Sequence, residues 1–341
     1  MKSGTVAILV AAAGCCALGA AGVIVHRGTL PYKGYSGQSV VVVIPEGEPA
    51  RAAAERLQGA GVVRSALMFR ALIRMRGAEE KVLAGEYQFE GAATPAQVLD
   101  TLVRGDVMRH RLTIPEGLRL DEIARVVEAS GLAGGEAFLR AASDPSQVAD
   151  LDPEATDLEG YIFPDTYSIP RGLGETRLVA LMVARLREEL TPGRLERMRG
   201  LGLTLRQTLT LASLVEEEAR FDDERPRIAA VFHNRLRLGM PLQCDPTVVY
   251  ALMKDGRYRG DIYRSDLSYR SAYNTYVQRG LPPGPICSPG ASSIDAVLAP
   301  AQTRDLYFVV SGPGRHEFST NIQDHARAVR RYRALSAPVR R

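Results

Sequence analysis

Tryptophan is absent from this sequence, and aromatic residues of all kinds make up 6% of its 341 positions. That scarcity excludes a broad aromatic platform for stacking sugar rings, although 13 tyrosines leave room for isolated stacking contacts. Charge of one sign is scarce as well: 43 Lys and Arg stand against 39 Asp and Glu, a net of +4. A balance this close to neutral gives no electrostatic footprint for nucleic acid. Histidine is rare, five in all, with no HExxH and no Cys/His cluster. No metal site and no cofactor are therefore expected. Of four cysteines, Cys15 and Cys16 lie in an apolar run, while Cys244 and Cys287 lie far downstream. A disulfide between the latter two and a pair of unbonded thiols are equally open.

What is present is globular in balance: 45% hydrophobic and 24% charged residues, in a chain long enough for two domains. The clearest single feature is VAILVAAAGCCALGAAGVIV over residues 6–25, twenty residues without a charge. About twenty apolar residues cross a bilayer as a helix. The run predicts a cytoplasmic start over 1–5, a transmembrane helix over 6–26 and an exported remainder, hence a single-pass protein of the bacterial inner membrane with its bulk outside the cytoplasm. A cleaved signal peptide and a lipoprotein signal at Cys15 are the alternatives; a retained anchor accounts for the whole run, which continues ten residues past Cys15.

Residues 27–38, RGTLPYKGYSGQ, read as a linker. SVVVVI then reads as a strand, and the Ala/Leu spacing of EPARAAAERLQGAG as a short helix stopped by glycine. The tetrapeptide IPEG at 44–47 returns at 114–117, followed by LRLDEIARVVEASGLA. At an offset of 70, Ala54 meets Ala124, Leu57 meets Val127 and Gly61 meets Gly131. Between the copies, 84–89 reads as a strand and 94–105 as a helix with Thr94 as N-cap and Pro95 at its first position. Residues 143–157 read as a connection, 175–190 as a helix, and TPGRLERMRGLGL as a break. Helices are expected over about 204–220, 225–238 and 321–332, a strand over 305–311, and mostly loop from Gly239 to that strand. The fold class is α+β.

LASLVEEEAR, residues 211–220, sets three carboxylates at the end of an apolar run. On a helix of 3.6 residues per turn, Glu217 shares a polar stripe with Ser213, Thr210 and Arg206 and faces solvent. Glu216 falls with Ala212, Leu209 and Leu205, and Glu218 with Leu214, Val215 and Leu211. Burial raises a carboxyl pKa, and the negative end of a helix dipole adds to it. A carboxyl kept neutral near pH 7 is what a general acid for glycosidic cleavage requires. That argues for Glu218, with Glu216 as its rival. On the residues alone, the favoured alternative is a structural helix end held by Arg220, Arg225 or Arg235.

Five segments, in order, then add a resemblance: LEGYIFPDTY (158–167), LASLVEEEA (211–219), VFHNRLRLGMPLQCDPTVVYAL (231–252), YNTYVQRGLPPGPICSPG (273–290) and LYFVVSGPGRHEFSTNIQDH (306–325). Together they resemble the endolytic murein transglycosylase, or YceG-like, family. The resemblance implies a membrane-anchored protein with a LysM-like module over 39–142, carrying the IPEG repeat, and a catalytic domain over 143–333 with a lysozyme-like helix. A flexible tail over 334–341 follows. It implies non-hydrolytic cleavage of the MurNAc-β-1,4-GlcNAc bond of peptidoglycan to 1,6-anhydro ends, terminating glycan elongation, with peptidoglycan synthases (penicillin-binding proteins) as partners. The family's Glu-x-Glu matches Glu216-Glu217-Glu218, which maps the acid to Glu218 and support to Glu216. Gln243, Asp245, Thr247, Tyr273, Asn274 and Thr275, in what reads as a Pro-interrupted loop region, are candidate glycan contacts or ordinary turn residues. Glu159 and Asp165 either line the cleft or tie helices together, and His316 and His325 read as hydrogen-bonding scaffold. The competing class is a membrane-anchored, non-catalytic peptidoglycan-binding scaffold.

Overall fold

The computed structural model describes His26 and residues 29–336. The predicted anchor over 6–26 lies, His26 apart, outside the described residues. Among those described, no helix is long and apolar enough to cross a membrane. The chain divides into two compact units: one ends at His110 and takes back Ser168–Gly172, and the other holds Arg111–Tyr167 and the chain from Leu173 onward.

In the first unit, strand β1 (Ser39–Ile44) is followed by helices α1 (Ala50–Gly59) and α2 (Ala66–Met75), strand β2 (Gly85–Glu90) and helix α3 (Pro95–Arg104). β1 and β2 pair antiparallel, from Ser39 opposite Glu90 to Ile44 opposite Gly85. Strand side chains alternate between faces, so Val42 and Ile44 enter the core while Val41 and Val43 stay exposed. The core closes with Ala53, Leu57, Phe69, Ile73, Leu99 and Tyr87, and the Tyr87 hydroxyl donates to the Leu83 carbonyl at 2.7 Å. Helix α3 starts as its residues dictate. Thr94 accepts from the Gln97 N–H, Gln97 closes the capping box, and Gly105 ends the helix at φ 68°. Helix α2 was not anticipated; its only strong signal is the Ser65 N-cap, which accepts from the Met68 N–H.

The second copy of the repeat reproduces this order. Strand β3 (Arg109–Thr113) leads to α4 (Leu120–Ala129) and α5 (Gly135–Ala142), and β3 pairs with β4 (Thr166–Pro170). Gly47 and Gly117, the last residues of the two IPEG turns, both take left-handed φ, 74° and 80°, a conformation only glycine adopts without strain.

The remaining elements are α6 (Glu175–Glu189), α7 (Pro192–Leu201), α8 (Leu205–Glu218), α9 (Arg225–Arg237), α10 (Asp245–Lys254), α11 (Ala291–Leu298), hairpin β5 (Tyr307–Val310) and β6 (His316–Ser319), and α12 (Ile322–Ser336). Two expectations need correction. The break at 191–203 is helix α7: Thr191 caps it, Pro192 occupies its first turn and Gly202 ends it at φ 67°. Proline and glycine there bound a helix instead of interrupting one. The stretch taken as loop from Gly239 to the last strand contains α10 and α11. Pro246 stands in the first turn of α10, where its missing N–H costs nothing, so Asp245 and Thr247 are helical.

Helix α8 is the centre of the second unit. Every residue from Thr208 to Val215 is buried, as is Leu205. Thr210 and Ser213 of the polar stripe expected on it are therefore packed. The Ser213 hydroxyl donates to the Thr210 carbonyl at 2.7 Å and accepts from the Ile286 N–H at 3.1 Å, which satisfies it without water. Each fully buried leucine of the helix stabilises the fold by about 1.5–3 kcal/mol.

Candidate active site

The three glutamates at the end of α8 have three different surroundings. Glu216 is locked. One oxygen accepts from Arg225 Nη1 at 3.0 Å and the other from the Gly290 N–H at 3.0 Å, with the side chain 8% exposed. Arg225 also binds Asp222 and the Ser293 hydroxyl. Glu217 is exposed. Glu218 accepts from the thiol of Cys244, Sγ to Oε1 3.3 Å, and lines a cleft of about 460 Å³. The end of α8 thus holds both an ion-paired carboxyl, Glu216, and a carboxyl bonded to a thiol beside a cleft, Glu218.

Burial is the main influence on Glu218 and pushes its pKa up to about 7. The Cys244 hydrogen bond pulls the other way, the charges of Asp245 and Glu217 push further up, and Arg235 pulls down. The Cys244 thiol is itself held well above its ordinary pKa by burial and by Glu218, so it remains a donor. Both Cys244 and Cys287 are free and buried, and no disulfide joins them.

The cleft wall comes from several separate stretches. α9 supplies Arg235, whose guanidinium donates to the carbonyls of Leu306 (2.6 Å) and Leu242 (2.8 Å) and to Gln243 Oε1 (3.3 Å). Gln243 has φ 50°, the one non-glycine residue with positive φ among those described, a costly conformation that surroundings must impose. Its N–H donates to the Thr275 carbonyl at 3.1 Å. Asp245 opens α10 and accepts from the Tyr276 hydroxyl at 2.5 Å. The far wall is Tyr307 and Phe308 of β5, His316 of β6 and His325 of α12. Tyr307 lies between Arg235, 5.0 Å from its ring centroid, and the stacked ring of His325 at 5.1 Å. His316 Nδ1 meets Glu224 at 3.0 Å, a scaffold contact. Nδ1 of His325 is buried with no partner.

Of the residues singled out in the sequence, Glu218, Gln243 and Asp245 share this cleft. Thr247, Asn274 and Thr275 stand behind it, fully buried. The Thr247 hydroxyl donates to the Cys244 carbonyl at 2.6 Å, the Thr275 hydroxyl accepts from the Cys244 N–H at 3.0 Å, and Asn274 donates to the Tyr269 carbonyl at 2.8 Å. Thr247 and Thr275 hold the Gln243–Cys244 turn in place, and Asn274 holds the loop that carries Thr275. Glu159 lies in a different cleft, of about 610 Å³. It accepts from the Leu120 N–H at 3.1 Å and the Tyr250 hydroxyl at 3.3 Å, and burial pushes its pKa up to about 8. Tyr273 packs on Tyr250, ring centroids 4.8 Å apart. Asp165 pairs with Arg185 at 2.6 Å and lines neither cleft. Tyr276, Tyr307, Phe308 and the role of Cys244 were missed. They come from segments far from Glu218 in sequence, and no spacing links them.

A buried carboxyl at the end of a core helix, open to a polar cleft, is the apparatus of general acid–base chemistry carried on an α+β fold. Among the described residues no cluster suited to a metal ion accompanies it. The sequence profile of the YceG-like family matches residues 42–331, and the chain belongs to that family. An endolytic murein transglycosylase of Bacillus subtilis is 31% identical over 321 residues, which cover 89% of this chain and 87% of that protein. Another, from Streptococcus pneumoniae D39, is 32% identical over 331 residues, 88% of this chain and 59% of the pneumococcal one. A solved yceG-like protein of Listeria monocytogenes is similar at a TM-score of 0.58 and 30% identity, over 86% of this chain and 99% of that one.

Proposed function

We propose that this protein is a lytic transglycosylase of peptidoglycan, cleaving the MurNAc-β-1,4-GlcNAc bond within glycan strands, with Glu218 as its acid and base. The observation that supports the assignment is the contrast at the end of α8. Glu216 is committed to Arg225 and Gly290, whereas Glu218 faces a cleft with a thiol as its hydrogen-bond donor and a pKa of about 7. A carboxyl titrating near neutrality serves both halves of the reaction. Protonated, Glu218 gives its proton to the glycosidic oxygen as the bond to C1 breaks. Ionised, it takes the proton of the muramyl 6-hydroxyl as that oxygen bonds to C1, leaving a 1,6-anhydro end and restoring the acid. The attacking hydroxyl belongs to the same sugar, which lowers the entropic part of the barrier.

Gln243 and Asp245 contact the sugars in this reading, and Thr247, Asn274 and Thr275 support those contacts from behind, while Tyr273 packs on Tyr250 away from them. The apolar run at 6–25 anchors the chain in the inner membrane with the catalytic part outside the cytoplasm. The strand–helix–helix–strand arrangement of the first unit supports a LysM-like glycan-holding role. Synthases that extend the strands are the partners, and the reaction terminates elongation.

A second reading is hydrolysis, favoured by the presence of a second carboxylate, Asp245, in the Glu218 cleft. Mass spectrometry of products from purified glycan strands decides. Anhydro ends that vanish in Glu218→Gln and persist in Glu216→Gln support the proposal. Reducing ends indicate a hydrolase, no new ends a binding protein, and loss only in Glu216→Gln moves the acid to Glu216.

A further inference from the structure

The cleft holding Glu159 is not used by the chemistry above, yet shared wall residues link the two through a third cleft. Arg119, Tyr250 and Met253 line both this cleft and a smaller one of about 230 Å³ that Glu217 borders. Asp245 in turn lines both the smaller cleft and that of Glu218. The three clefts are therefore neighbours in the second unit, each sharing wall residues with the next.

The charges in the Glu159 cleft are unevenly satisfied. Arg119 is paired with Asp121 at 3.0 Å and Glu122 at 3.1 Å. Glu159, with its pKa near 8, is mostly neutral at neutral pH and takes its hydrogen bonds from Leu120 and Tyr250. Two charges have no ionic partner among the described residues. Lys254 is exposed, and its ammonium lies 5.7 Å from the ring centroids of both Tyr250 and Tyr273. Asp157 accepts only from the Glu159 N–H at 3.0 Å and the Thr156 hydroxyl at 3.5 Å. An unmatched cation and an unmatched carboxylate facing one cleft fit a ligand that carries both a carboxylate and an ammonium group. The cleft, about 610 Å³, is in the range that encloses a small organic ligand.

Resting on the transglycosylase reading, we infer that this cleft binds the peptide stem of the glycan strand, with Lys254 pairing a stem carboxylate and Asp157 a stem ammonium. The reacting sugar bond stays at Glu218 while its stem, or that of a neighbouring sugar, lies along the run of clefts. The site therefore favours strands that still bear peptide over strands stripped of it.

The test uses the full chain in detergent, with uncrosslinked stem-bearing strands and the same strands stripped by an amidase. The readout is the ratio of kcat/KM for anhydro-end formation, stem-bearing over stripped. The wild type gives a ratio well above one. Lys254→Met and Asp157→Asn each lower it by about two- to fivefold, the worth of one exposed charge pair. A structural defect lowers both rates together and leaves the ratio intact, so a ratio unchanged in either variant, or a wild-type ratio of one, overturns the inference. A wild type that forms no anhydro ends from either substrate refutes the activity itself and the inference with it.

Discussion

Replacing Glu218 by Gln removes the proposed acid and should also stabilise the fold, by an amount that depends on pH. The carboxyl titrates at about 7 in the folded protein against an ordinary 4.5. Below the lower value both states are protonated and the neutral group sits in its cleft without penalty. As pH rises, the unfolded chain ionises freely while the folded one must ionise a buried group, so stability is lost through the interval up to 7. Each pH unit of that interval is about 1.4 kcal/mol, which gives a loss of about 3 kcal/mol by pH 8 and under about 1 kcal/mol at pH 5. Glutamine has no charge to bury. The variant should exceed the wild type by about 3 kcal/mol at pH 8 and by less than about 1 kcal/mol at pH 5. The assay is urea denaturation at the two pH values by far-ultraviolet circular dichroism, because the chain has no tryptophan to report by fluorescence. An equal difference at both pH values, or a less stable variant at pH 8, would refute the picture of a desolvated carboxyl.

Two further outcomes follow from the same geometry. Cys244→Ala removes the donor that lowers the Glu218 pKa; the alkaline limb of the kcat/KM profile should move to higher pH, by up to about one unit, and an unmoved limb would mean the thiol contact is electrostatically idle. Gly160→Ala places a Cβ at φ 79° and 2.3 Å from Pro285 Cβ, so it should cost about 2 kcal/mol or more in the denaturation midpoint, whereas a neutral effect would show that the Pro285 loop yields.

Legibility in the sequence varied with the range of the interactions involved. The Thr94-Pro95 start and Gly105 stop of α3 are local chemistry, and the structure has them where the residues put them. The break expected at 191–203 failed because Thr191-Pro192 and Gly202 are equally the punctuation of a helix, and local signals do not say on which side of them it lies. The three glutamates show the limit most clearly. Helical geometry separated Glu217, which is exposed, from the other two, but only proximity to the helix end favoured Glu218 over Glu216.

The sequence by itself determined the periodic and punctuated features: the IPEG repeat, the caps, the apolar length of α8 and the presence of carboxylates at its end. These rest on neighbours within a few residues, whose geometry is set by the backbone. Only the tertiary structure decided what each carboxylate does. Arg225 from α9 and the Gly290 N–H ahead of α11 neutralise Glu216. Cys244, Asp245 and the β5–β6 hairpin instead leave Glu218 desolvated beside open space. A pKa is set by burial and by charges within a few ångströms. Those neighbours arrive from up to about a hundred residues along the chain, and no local pattern records their approach.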